Sequence, residues 1–244
     1  MYDLILTGPP RTGTKTLWIA LGSHPEICAS EYKEPFHIFP GSRFNQEYFI
    51  KNFIPTSQTK CILDSVPFHV GHQRNRINIL KSLKMFKTIK YLTFLRDPLE
   101  RTISFASWLL ILYYNNVRLR SNLPIFMDED IQLNKDILIS WIIREIKVPY
   151  LNLVDMDGQI DRNHIFISTL NDIEIKFDKI MTFLKLKKIE IKATKSNQIE
   201  GSKLTVNYLK VKHEINKICK ENETVLTKLS RKYYNKIVNE YKVV

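Results

Sequence analysis

The chain has 244 residues, with 37 Lys+Arg against 25 Asp+Glu for a formal net charge of +12, and 44% of it is hydrophobic. Such a length suits one α/β domain that buries its own core without staples, and this apolar content with only 7 Gly and 10 Pro excludes a disordered or collagen-like polypeptide. Three widely spaced cysteines, Cys28, Cys61 and Cys219, make neither a disulfide framework nor a zinc site and read as reduced thiols.

Asp3–Thr7 is a short apolar run ending in Gly8-Pro9-Pro10, a buried strand that enters a loop. This strand follows Met1 at once, so no signal peptide is expected. The longest apolar run, Trp108–Tyr114, is far short of the ~20 residues of a membrane helix, and a cytoplasmic protein without membrane insertion is the expectation. Thr14–Ser23 carries Leu17, Ala20 and Leu21 at helical spacing and stops at His24-Pro25. Lys60–Asp64 and Ile89–Leu95 read as further strands. Asp97-Pro98 then opens a helix, with Asp placed to cap and Pro preset for the first turn. Ile131–Ile146 reads as a helix, His164–Ser168 as a strand, and Asp172–Leu184 and Glu221–Tyr241 as helices. Strands separated by helices predict a central parallel sheet flanked by helices, in a single α/β domain over residues 1–244.

Charge is uneven. Residues 176–244 hold seventeen Lys/Arg against seven Asp/Glu, ten of the net +12. The lysines between Lys203 and Lys212 fall singly among apolar residues, so they read as the wet face of a packed element rather than a nucleic-acid tail. Their field still draws in anionic ligands.

The loop Gly8-Pro-Pro-Arg-Thr-Gly-Thr-Lys-Thr16 joins a strand to a helix, the arrangement that turns backbone N–H groups and a positive dipole end toward an anion. Gly13 lets the main chain approach an oxygen, Thr14 and Thr16 offer hydroxyls, and Arg11 and Lys15 bring charge. Gly8 and Gly13 have the spacing of a Walker A loop, but Thr14 stands where its Lys belongs, and Lys15-Thr16 come one residue late. A second anion site is expected where an apolar strand ends in Arg96 beside a helix start, with Ser104 eight residues on and Arg101 between them. Pairing of Arg96 with Asp97 or Glu100 is the alternative for that arginine.

Pro10-Arg11-Thr12-Gly13-Thr14-Lys15-Thr16-Leu17 with His24-Pro25 resembles the 5′-phosphosulfate loop of the PAPS-dependent sulfotransferases. Arg11 replaces the more usual lysine, as in their tyrosylprotein branch. Arg96-Asp-Pro-Leu-Glu-Arg-Thr-Ile-Ser104 is similar to the family's 3′-phosphate motif, about eighty residues further on. Lys33-Glu34-Pro35-Phe36-His37-Ile38-Phe39 and Ile62–Phe68 resemble segments of the glycan sulfotransferases, and Phe183–Leu186 and Leu229–Lys236 resemble the family's late elements.

The resemblance implies a P-loop-like fold and sulfuryl transfer from PAPS to a hydroxyl or amine, leaving PAP and using no metal. It implies that Arg11, Thr12, Gly13, Thr14, Lys15 and Thr16 hold the 5′ side, with Arg11 also stabilising the bridging oxygen. Arg96 and Ser104 would hold the 3′-phosphate, and Lys203 is the candidate from a late loop, Ser196–Lys203, that lacks the family's Arg-Lys-Gly triplet. Glu34 is implied as the base, with Glu31 and His37 as alternatives. Asp64 sits near where cytosolic members place a catalytic His, and Ser65 replaces the Lys of the glycan enzymes. The aromatics of Trp108–Tyr114 and Phe126 read as helix-spaced core, with an acceptor cleft as the alternative. Glycan, peptide tyrosine, lipid and small metabolite all stay open as acceptors. A kinase-type P-loop NTPase and a non-catalytic basic module for nucleic acid or anionic glycan are the rival readings.

Overall fold

The structure is a computed structural model that describes residues 3–31, 47, 51–65, 89–114, 133–157, 160–169, 173–189, 206–241 and 243. In chain order the described elements are β1 (Leu4–Thr7), α1 (Thr14–Gly22), β2 (Ile27–Ala29), β3 (Cys61–Ser65), β4 (Lys90–Leu95), α2 (Pro98–Tyr114), α3 (Lys135–Asp157), β5 (Ile165–Thr169), α4 (Ile173–Leu184), α5 (Val206–Glu221) and α6 (Glu223–Glu240). They fall into two compact units. One holds Met1–Leu95, Asn152–Gln198 and Tyr241–Val244; the other holds Arg96–Leu151 and Ile199–Glu240.

The first unit is built on a five-stranded parallel sheet in the order β2-β3-β1-β4-β5. The fold class is therefore α/β, as the alternation of elements predicts. Leu4, Leu6, Leu63 and Leu92 are fully buried and share a core with Leu17, Ala20 and Leu21 of α1 and Phe177, Ile180, Met181 and Leu184 of α4. Each such Leu contributes about 1.5–3 kcal/mol by leaving water. β1 and β4 are neighbours, with Thr7 beside Thr93, and the strand order reverses between them. In open α/β sheets that switch point is where ligands bind, beyond the carboxyl ends of the strands.

His24 latches this unit. Its Nε2–H donates to the Lys187 carbonyl at 2.8 Å, and its Nδ1 accepts the Glu26 N–H at 3.0 Å. The His-Pro step after the loop is thus a structural clasp. α4 ends in a Schellman turn, Leu186 N–H to Met181 O and Lys185 N–H to Thr182 O. Lys185 holds the left-handed position at φ 61°.

In the second unit, Phe105, Ala106, Leu138, Trp141, Ile142, Ile146, Ile215, Ile218 and Leu226 form a separate core. Trp108 stacks on Phe105 at 5.9 Å and packs against this core, while the side chains of residues 110–114 and Phe126 lie outside the described residues.

Most strands and helices lie within two residues of their predicted bounds, but α3 does not. It starts at Lys135, because the Asn134 side chain accepts the Ile137 N–H at 3.1 Å, and it continues past Ile146 to Asp157 through Pro149. Pro149 has no N–H, so the carbonyl four residues back, on Glu145, loses its helical partner. Arg101 fills the gap: its Nη2 donates to the Glu145 carbonyl at 2.7 Å and to Glu145 Oε2 at 3.1 Å. β2 was not foreseen, being three residues long, and neither was α5 as a helix distinct from α6.

Candidate functional site

The loop between β1 and α1 takes its shape from three left-handed residues. Gly8 has φ 138°, Arg11 φ 71° and Gly13 φ 85°. A Cβ on Gly8 would lie 3.2 Å from both the Phe94 carbonyl and Thr12 Oγ1, so only glycine passes between β1 and β4 here. Arg11 bears the same backbone strain with a side chain attached, a cost of about 1–3 kcal/mol that is characteristic of functional turns. Thr12 is buried and donates its hydroxyl proton to the Pro9 carbonyl at 2.9 Å, bracing the loop from inside.

The loop opens onto α1. Its N-cap, Gly13, makes no side-chain hydrogen bond to the first turn, and no acid stands there. The dipole end of α1 is therefore not neutralised by its own sequence, which is what an anion needs. Thr14 is buried, Thr16 is half-buried, and Lys15 is exposed with no ion pair to any described residue. Around the carboxyl ends of the strands, Thr7, Ser65 and Thr93 bury hydroxyls that find no hydrogen-bond partner among the described residues, and Asp64 is fully buried. Polar residues at this density are unusual inside a parallel sheet. Glu31 is exposed, and its N–H donates to the Asn52 carbonyl at 2.9 Å.

The second segment, in the other unit, is built differently. Asp97 Oδ1 accepts the N–H groups of Leu99 and Glu100, both at 3.0 Å. Ser230, buried on α6, donates to Asp97 Oδ2 at 3.1 Å and accepts from Leu99 N–H at 3.1 Å. The start of α2 is thus satisfied by its own cap. Arg96 pairs with Glu100 through Nε at 3.3 Å, half-exposed, while Asp97 is occupied by capping. Ser104 is half-buried one and a half turns into α2.

Arg101, in the middle of the motif, turns inward. It is fully buried beside Glu145, and burial lowers its pKa against the pull of the Glu145 carboxylate. It holds α2 to α3 through the Glu145 carbonyl and carboxylate. Sequence reasoning missed this role and that of Ser230; the available signals were Pro149 inside a helical pattern, and one small polar residue on the apolar stripe of Leu226 and Ile237.

Burial pushes the Cys61 thiol up to about 12 and the Cys219 thiol up to about 11, so neither is a nucleophile. Among the described residues no group of His, Cys, Asp or Glu is arranged to hold a metal, and no helix is long and apolar enough to cross a membrane. Glu34, His37, Phe126 and the whole of Ser196–Lys203 lie outside the described residues.

No protein-family model matches the chain, and no curated protein matches it. Solved structures do. A sulfotransferase from Alicyclobacillus acidocaldarius superposes with a TM-score of 0.59 at 14% identity, over 93% of this chain and 96% of that one. The sulfotransferase domain of the Synechococcus PCC 7002 olefin synthase gives 0.43 at 13% identity, over 88% and 94%. Mouse sulfotransferase SULT7A1 complexed with PAP gives 0.43 at 13% identity, over 94% and 89%. The chain has the α/β fold of the Alicyclobacillus sulfotransferase over nearly the full length of both.

Proposed function

We propose that this chain is a PAPS-dependent sulfotransferase, a single catalytic domain that moves a sulfuryl group from PAPS to a hydroxyl or amine and releases PAP. The observation that carries the reading is the uncapped start of α1 behind a loop strained at Arg11, on the fold of a known sulfotransferase. The backbone of Thr12 and Gly13, with Thr14, Lys15 and Thr16, binds the 5′-phosphate. Arg96 and Ser104 bind the 3′-phosphate, and Lys203 adds a late contact. The acceptor oxygen or nitrogen attacks sulfur in line as the bond to the bridging oxygen breaks, and its proton passes to Glu34. Charge growing on the bridging oxygen is met by Arg11. Guanidinium stays protonated at ordinary pH, so Arg11 acts electrostatically and donates no proton outright. No step asks for a metal. The acceptor is a glycan, a peptide tyrosine or a small metabolite, and three buried thiols suit the reducing cytoplasm.

Thermal shift without added metal tests the donor. Adenosine 3′,5′-bisphosphate at one hundred times its Kd adds about 2.7 kcal/mol of stability, well above AMP or ADP at the same concentration. Equal shifts from all three nucleotides sink the 3′-phosphate assignment. Glu34→Gln keeps the shift and lowers turnover about 10²–10⁴-fold; unimpaired turnover moves the base elsewhere.

A further inference from the structure

The outward side of α6 carries cations that donor binding does not use. Lys228, Arg231, Lys232 and Lys236 recur at steps of three and four, opposite the buried Leu226, Ser230 and Ile237, and all four are exposed. At 1.5 Å rise per residue they extend over about 12 Å. No acid interrupts residues 224–239; Glu223 and Glu240 stand outside that stretch, and Glu240 accepts the Tyr150 hydroxyl at 2.9 Å. Lys228, Arg231 and Lys232 have no ion pair or hydrogen bond with any described residue, and Lys236 Nζ lies 4.9 Å from the Tyr150 ring centre.

Two apolar side chains share this side. Val225 is 62% exposed and Val238 is 44% exposed. Such a surface repels itself unless an anionic partner covers it. Three of the four cations are lysines, compact point charges on flexible stems rather than the planar forks that read a discrete phosphate or carboxylate bidentately. No aromatic of α6 is exposed, which removes the stacking platform that single-stranded nucleic acids use. Lysines flanked by exposed valines on one helix fit a broad anionic sheet, where each basic residue adds attraction and short apolar side chains meet the headgroup boundary.

We propose that α6 docks this protein peripherally on an anionic lipid surface. The full chain is sedimented with vesicles of phosphatidylcholine alone and with about 30% phosphatidylserine, at low and high salt. The expected result is binding to the serine-containing vesicles only, released at about 0.5 M salt by screening. Lys228→Gln with Lys232→Gln weakens binding about 25-fold, fivefold per charge, at unchanged melting temperature. Arg231→Gln with Lys232→Gln does the same and serves if the first pair misfolds. Lys179→Gln with Lys188→Gln removes equal charge elsewhere and leaves binding within about threefold. Equal binding to both vesicle types, no binding to either, or equal loss in the Lys179/Lys188 control overturns the proposal. So does capture of a single-stranded oligonucleotide that the Lys228/Lys232 pair abolishes while vesicles are ignored.

Discussion

Two helices follow strands that lie side by side in the sheet, and their first turns are treated in opposite ways. α1 begins at Gly13 with no side-chain cap and no acid, so its dipole end is not neutralised by its own sequence. α2 begins at Asp97, whose carboxylate takes the N–H groups of Leu99 and Glu100, and Ser230 secures that carboxylate in turn. On the proposed function, a phosphate at α1 is held by main chain as well as side chains, whereas one near α2 relies on side chains alone. Backbone donors held by a strained loop are preorganised and tolerant of side-chain change, whereas a half-exposed arginine confers selectivity that one substitution removes.

The contrast is broken most severely through Arg101. Arg101→Met strands the Glu145 carbonyl and carboxylate beside α2 and lowers stability by about 3–5 kcal/mol, read by chemical denaturation. A loss under 1 kcal/mol means that Pro149 costs α3 no buried carbonyl partner. Next comes selectivity. Arg96→Gln removes a charge-assisted contact and reduces the preference for adenosine 3′,5′-bisphosphate over AMP about 10–100-fold, while its exposed pair with Glu100 makes the stability change no more than about 0.5 kcal/mol. Calorimetric titration with both nucleotides checks it, and an unchanged ratio removes Arg96 from the 3′-phosphate.

Gly8→Ala meets the Phe94 carbonyl and costs about 1–3 kcal/mol, with nucleotide-induced stabilisation lost as well. Asp97→Ala costs about 0.5–2 kcal/mol as a lost cap but spares AMP binding, since α1 is untouched; a loss of AMP binding would join the two helix starts into one device. The smallest effect separates strain from function. Lys185→Gly and Arg11→Gly each relieve a left-handed side chain, worth about 0.5–1 kcal/mol after glycine's own entropy cost. Only Arg11→Gly is expected to depress turnover, in a donor-saturated assay.

Much of this was legible in the residues. β1, β3, β4 and β5 announce themselves as apolar runs because a parallel sheet buries both faces, and Asp97-Pro98 marks the start of α2 because capping is local chemistry. The strand–loop–helix around Gly8 and Gly13 was readable for the same reason: its glycines and the flanking strand and helix act within a few residues of one another. β2 escaped because three residues carry no periodicity. The second half of α3 escaped because Pro149 normally ends a helix, and here an arginine from another helix satisfies the carbonyl it frees.

Sequence by itself therefore determined the sheet-and-helix alternation, the loop and the first turns of α1 and α2, all of which depend on neighbours along the chain. Tertiary structure alone decided that Thr12 braces the loop from within, that Arg101 points into a core, that Ser230 steadies Asp97 and that Arg96 faces Glu100. Those assignments depend on which residues meet after the chain has folded. A side chain with two chemically reasonable partners is assigned to one of them only by burial and distance.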